Sequence, residues 1–124
     1  CNISGTAVIS YSPLASGILT DSFDEKRLSR LPGDDWRSTS SYFQGPSLTA
    51  NLKAAAALRS YATEHGGQAE QYALAWVLAH PMVAKVIIGA RTPNQVSRIV
   101  SNKPPSLTAE ARRQLGQLIF NACL

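Results

Sequence analysis

Two short apolar runs, Thr6-Ala7-Val8-Ile9-Ser10-Tyr11 and Lys85-Val86-Ile87-Ile88, carry the strand character of this 124-residue chain, and helical and loop sequence separates them. Runs so continuously apolar suit strands buried on both faces. Strands that alternate with helical segments imply parallel pairing through right-handed crossovers. Two strands by themselves, however, leave unpaired backbone and an apolar face in water. The expectation is therefore an α/β architecture in which this chain supplies part of a larger sheet. A barrel or a doubly wound fold with its other strands upstream fits that requirement.

The second run leads into the segment richest in chemistry. Val86-Ile87-Ile88-Gly89-Ala90-Arg91-Thr92-Pro93-Asn94-Gln95-Val96 reads as a strand that leaves its sheet at a glycine and enters a capped helix. Thr92-Pro93-Asn94-Gln95 fits a capping box with proline at the first helical position. A helix start presents backbone N–H groups and the positive end of its dipole, so an anion is stabilised there. Arg91 adds a planar donor fork suited to phosphate. An ordinary strand-to-helix turn with a surface arginine would show the same local pattern, so both readings stay open at this level.

The first run stops at Ser12-Pro13, since proline cannot donate to a ladder, and Tyr11 to Leu19 leaves the sheet as a loop. A long irregular stretch follows from about Thr20 to Pro46, of the kind that is functional or disordered in compact domains. A helix is expected from Ser47, with Leu48, Leu52, Ala55, Ala56 and Ala62 on one face and Gly66-Gly67 at its end. A second runs from Gln68 to about Ala79, so apolar around its circumference that it must be buried on several sides, and His80-Pro81 closes it. A third helix spans Pro93 to about Val100. Pro104-Pro105 breaks the chain, and Thr108 caps a last helix carrying Leu115, Leu118, Ile119 and Ala122.

Composition narrows the class. The length fits one domain at most, and 44% hydrophobic residues is in the globular range. The net charge of +4 rests on scattered residues, and no basic stripe interleaved with aromatics is present, so a local anion site is expected and nucleic acid is not. No charged-then-apolar leader is legible, and the run Tyr72 to Ala79 is too short to span a membrane. A soluble, cytoplasmic protein is the expectation. Cys1 and Cys123 lack metal or redox spacing and are read as two unpaired thiols.

In this order, three segments resemble the C-terminal half of an aldo-keto reductase. Gly5-Thr6-Ala7-Val8-Ile9-Ser10-Tyr11-Ser12-Pro13-Leu14-Ala15-Ser16-Gly17-Ile18-Leu19-Thr20 is similar to that family's seventh barrel strand and its SPL loop. Ala73-Leu74-Ala75-Trp76-Val77-Leu78-Ala79 resembles the helix before its last strand, and Val86 to Val96 resembles that strand and the cofactor helix after it. Asp35-Trp36-Arg37 is similar to a D-W-R element in the loop after strand seven. The resemblance implies an eight-stranded parallel (β/α)8 TIM barrel of which this chain supplies strands 7 and 8 with their helices. Residues 1–20 would be strand 7 and a pyrophosphate loop, 21–46 the long loop, 47–80 helices, 85–101 strand 8 and a 2′-phosphate helix, and 107–124 the C-terminal helix.

What the resemblance implies about function is an NADP-dependent reduction of aldehydes and ketones to alcohols by hydride transfer. Tyr11 would stack on the nicotinamide, and Ser12, Pro13, Leu14 and the backbone near Gly17 would line the pyrophosphate. Gly89 would shape the corner, Arg91 and Thr92 would hold the 2′-phosphate, Gln95 would face the adenine, and Arg37 would close over the cofactor. The family's tyrosine, lysine, aspartate and histidine tetrad belongs to the first half of the barrel and has no counterpart here, so the carbonyl substrate is a partner of the complete protein. Asp21-Ser22 stands where many relatives have Gly-Lys, and Arg98-Ile99 where they often have Glu-Asn. Cofactor binding weaker than the family norm is therefore expected, unless Lys26 or Arg27 supplies the missing cation. Alternative roles are an inactive dinucleotide-binding or assembly module, self-associating through open sheet edges, and a non-functional truncated product.

Other signals have plainer readings. His65 and His80 lack partners at metal-ligand spacing and suit capping or surface roles. Asp34-Asp35, after Pro32-Gly33, reads as a solvated turn. Lys26-Arg27 with Arg30 reads mainly as a solvated loop, with cofactor contact as the alternative. No G-x-S-x-G elbow surrounds Ser10, Ser12 or Ser16. Trp76 should lie in the core with its N–H bonded.

Overall fold

A computed structural model describes residues 4–123. It contains two strands, β1 (Val8–Tyr11) and β2 (Val83–Ile87), and five helices: α1 (Glu25–Leu28), α2 (Gly45–Glu64), α3 (Ala69–Leu78), α4 (Pro93–Ser101) and α5 (Ala109–Ala122). The strands pair in parallel, with Val8 opposite Val83 and Tyr11 opposite Ile87. Both chains therefore leave the sheet at the same end. Among the described residues this pair is the whole sheet.

The strands differ from expectation in extent and in burial. β2 begins at Val83 and ends at Ile87, so Ile88 lies beyond the pairing, and Thr6 and Ala7 precede β1 because the partner strand starts only opposite Val8. Burial alternates along β1, in contrast to the two-sided burial expected of it: Val8 and Ser10 are half-covered, while Ile9 is 57% and Tyr11 78% exposed. Packing against α3 covers one face of β2. No described element lies over the face bearing Ile9 and Tyr11.

Helix boundaries follow local chemistry. α2 starts two residues earlier than expected, with Pro46 in its first turn, where a missing N–H costs nothing. At its end Gly66 adopts φ +73°, and the Gly67 N–H donates to the Ala62 carbonyl at 2.8 Å while the Gly66 N–H donates to Thr63 at 3.1 Å, the paired bonds of a Schellman motif. His65 caps this end and stacks on Tyr61. His80 accepts from the Met82 N–H. Of the face expected on α2, Ala55 and Ala62 are buried and Leu48 and Leu52 half-buried, but Ala56 is exposed and Ala54 and Leu58 are buried in its place. That stripe is the one packed by α3 and α5 at Leu58 and Ala62 and by Ile18, Phe23 and Phe43 at Ala55.

Leu58, Ala62, Ala69, Tyr72, Ala73 and Leu115 form the core joining α2, α3 and α5. A second cluster, Ile18, Phe23, Phe43 and Ala55, fastens the segment between β1 and α2 onto α2. That segment is thus ordered by packing, with α1 and two short 3-10 turns, Trp36–Ser38 and Ser41–Phe43, where an irregular loop was expected. Of the terminal cysteines, Cys123 is an exposed free thiol, and Cys1 lies outside the described residues.

Trp76 is half-buried, and it locks α3 to α5. Its indole Nε1 donates to the Arg112 carbonyl at 2.9 Å, the Arg112 Nε donates to the Trp76 carbonyl at 3.0 Å, and the guanidinium lies 4.4 Å above the indole. Gly116 lets the ring sit close, since a Cβ there would be 3.3 Å from Nε1. Trp76→Phe keeps an apolar ring but removes the indole N–H bond to the Arg112 carbonyl, so urea denaturation should show a loss of about 1 kcal/mol. An unchanged midpoint would show that the indole N–H contributes nothing to this lock.

Candidate functional site

Because β1 and β2 are parallel neighbours, the loop after β1 and the corner after β2 face each other across one cleft of about 420 Å³. This is within the range of small-molecule sites, and carboxyl ends of parallel strands are where open α/β structures and barrels place them. Ser12, Pro13, Leu14 and Gly17 line it from the first loop, and Gly89, Arg91 and Gln95 from the corner. Arg37 reaches it from the segment between β1 and α2. Tyr11 and Thr92 lie outside the lining: Tyr11 is on the open face of the sheet, and Thr92 is the N-cap of α4.

The first loop is conformationally unusual. Ser12, Ala15 and Ser16 have φ of 53°, 46° and 55°, followed by Gly17 at 101°. Left-handed backbone at non-glycine residues is costly, and such residues concentrate at ligand-holding loops. The loop is held from within by the Ala15 N–H bonded to the Ser12 carbonyl at 3.0 Å and the Gly17 N–H bonded to the Leu14 carbonyl at 2.9 Å. Buried Pro13 anchors its start.

The corner forms the expected capping box, with a consequence for anion binding. The Thr92 side chain accepts from the Gln95 N–H at 3.3 Å, while Gln95 Oε1 accepts from the Arg91 N–H at 2.6 Å and the Thr92 N–H at 3.3 Å. Those three amides are therefore satisfied within the chain, so the helix start is less open than the sequence suggested. The groups left to meet an anion are the Asn94 N–H, the helix dipole and the Arg91 guanidinium, whose side chain is 73% exposed.

Asp35 is the main correction to the sequence reading. Far from a solvated turn, its carboxylate is 3% exposed and grips Arg37 twice, at 2.9 Å to Nε and 2.7 Å to Nη2. The same carboxylate lies 3.6 Å from Arg91. Arg37 Nη1 also donates to the Ser16 carbonyl at 3.4 Å, so the intervening segment is tied to both walls of the cleft. The hydrogen bonds from Arg37 hold the Asp35 carboxyl well below the usual carboxylate range, against the opposing effect of burial, and its bond to Asp35 raises Arg37 in turn.

Glu70, which the sequence reading passed over, completes the walls with Arg98 and Arg27. Glu70, buried in the first turn of α3, pairs with Arg98 of α4 and accepts from the Asp21 N–H at 3.2 Å. Asp21 returns the contact by capping α3 at the Ala69 N–H, 3.3 Å away. An acid on the apolar α3 was the signal that could have found this pair. Arg27 also reaches the cleft, held by Ser22 Oγ at 2.8 Å, whereas Lys26 and Arg30 do not line it. Four arginines thus line the cleft with Glu70, and Asp35 stands behind them, which favours a ligand of more than one negative charge. Among the described residues no group of His, Cys, Asp or Glu could hold a metal ion. No helix among them is long and apolar enough to cross a membrane.

The depressed Asp35 carboxyl makes folding sensitive to acid. Its folded value lies below its unfolded one, so the folded chain binds fewer protons; the stabilisation is complete above the unfolded value of about 4 and is lost as pH falls through the folded one. Thermal unfolding followed from pH 7 downward should show a midpoint declining below about pH 5, with a flatter profile in Asp35→Asn. Parallel profiles for the two proteins would show that Asp35 does not carry the dependence.

Comparison with known proteins agrees with this architecture. The solved glycerol dehydrogenase of Gluconobacter oxydans superposes with a TM-score of 0.77 at 29% identity, over 94% of this chain and 35% of that one. Proteins named voltage-gated potassium channel subunit beta are similar in sequence: one from Schizosaccharomyces pombe is 33% identical over 96 residues, and one from Oryza sativa subsp. japonica 33% over 95. These cover 76% and 74% of this chain, which spans only 28% of the length of each relative. The model of the aldo/keto reductase family matches residues 1–117. With its parallel α/β fold resembling part of a barrel of that kind, the chain belongs to the aldo/keto reductase family.

Proposed function

We propose that this chain is the C-terminal, cofactor-binding part of an NADP-dependent reductase of aldehydes and ketones, with β1 and β2 as the seventh and eighth strands of the barrel. The observation that carries the reading is the shared cleft: a strained loop after one strand and an arginine corner after its parallel neighbour enclose one cationic cavity. The residues suit a dinucleotide with a third phosphate. Ser12, Pro13, Leu14 and Gly17 would hold the pyrophosphate, Arg91 with the capped Thr92 corner the 2′-phosphate, and Gln95 the adenine side. Arg37 would close the cleft from above, and Gly89 gives the chain a small residue where the corner must lie close to a ligand. Tyr11, at the carboxyl end of β1 on the open face, would meet the nicotinamide. When bound, that cofactor supplies the hydride; the proton-donating residues belong to the remainder of the complete protein.

Titration of NADPH against the fluorescence of Trp36, which lines the cleft, tests the reading. Arg91→Ala should weaken NADPH about 10- to 100-fold, as expected for charge-assisted hydrogen bonds, and leave NADH nearly unchanged. Equal preference for the two dinucleotides before and after the substitution would defeat the assignment of Arg91 to the 2′-phosphate.

A second reading, an assembly role through the open sheet, is favoured by Ile9, Tyr11 and Ile87, which are 57%, 78% and 61% exposed on an unpaired two-stranded sheet. Size-exclusion chromatography should then show discrete soluble oligomers. A stable monomer across concentrations would remove that role.

A further inference from the structure

We infer that Asp35 is a positioning residue that presets Arg91 for the anionic end of the ligand, and so sets how strongly the cleft distinguishes a ligand bearing the extra phosphate. The inference rests on the cofactor reading above and deepens it.

The geometry divides one carboxylate between two arginines unequally. Arg37 occupies Asp35 Oδ1 through both its backbone N–H, at 3.1 Å, and Nε, at 2.9 Å, and takes Oδ2 through Nη2 at 2.7 Å. Arg91 Nη2 stands 3.6 Å from the same Oδ2, beyond hydrogen-bond reach but well within Coulomb range. Arg91 is therefore drawn toward the cleft without spending its donors. Its other end is also held, since the Arg91 N–H donates to Gln95 Oε1 at 2.6 Å.

An exposed arginine must otherwise give up substantial rotamer freedom when it binds a phosphate. Asp35 cannot leave with Arg91, because its grip on Arg37 is buried and short. It can thus orient Arg91 before a ligand arrives and remain behind it afterwards. The buried anion also keeps Arg37 from taking the ligand's charge in place of Arg91.

Calorimetric titration of NADPH and NADH against the chain, Asp35→Asn, Arg91→Ala and the double variant tests this. Asp35→Asn should lower the NADPH-to-NADH affinity ratio about two- to five-fold, the scale of an exposed ion pair, and add nothing in the Arg91→Ala background. Asp35→Glu keeps the charge and should retain most of the ratio, which separates positioning from damage to the fold. An equal loss for both dinucleotides, or an unchanged ratio, would confine Asp35 to holding its own segment and overturn the inference. A rising ratio would overturn it too, by showing Asp35 as a competitor for Arg91. If Arg91→Ala leaves the ratio intact, or the parent chain binds neither dinucleotide, the cofactor reading itself fails and takes this inference with it.

Discussion

The parallel pairing of β1 and β2 is the constraint on which the rest depends. Parallel neighbours must be joined by a long crossover, and here that crossover contains α1, α2 and α3. Its return brings two sequence-distant exits, at Ser12 and at Ile88, to one end of the sheet. Without that pairing the left-handed loop and the arginine corner would be two unrelated surface turns. With it they are opposite walls of a single cleft.

The crossover does more than connect. Phe23 and Phe43 anchor its first part on α2, and Asp35 draws Arg37 and Arg91 together from opposite sides. On the far wall Glu70 and Asp21 exchange bonds between the start of α3 and the end of the first loop, and Arg98 of α4 closes on Glu70. Each buried acid is matched to a guanidinium or a backbone N–H, as burial of charge requires. The residual charge is positive and faces the cleft.

The sites that were legible in the sequence are those whose signals are local. Gly66-Gly67 ended a helix because a left-handed residue there completes two carbonyl bonds, and Thr92 and Thr108 marked helix starts because their hydroxyls cap within three residues. The arginine corner was readable for the same reason. Asp35 was not, since its neighbours Pro32, Gly33 and Asp34 carry turn chemistry and its approach to Arg91 joins residues far apart along the chain. The segment from 20 to 46 looked irregular because its order comes from two phenylalanines reaching α2, which no periodicity records.

Alone, then, the sequence determined the two strands, the helices α2 to α5, the caps at Thr92 and Thr108, the α/β class and the capped corner that carries Arg91, because capping, turn chemistry and apolar spacing act over a few residues. Tertiary structure decided which of these meet. It set the register that begins β2 at Val83, chose Leu58 over Ala56 as a buried residue of α2, and tied the Arg91 and Thr92 amides to Gln95. It also converted Asp35 from a turn residue into the buried anion between two arginines. Charge pairing across the cleft depends on distance in space, and only the folded chain establishes that distance.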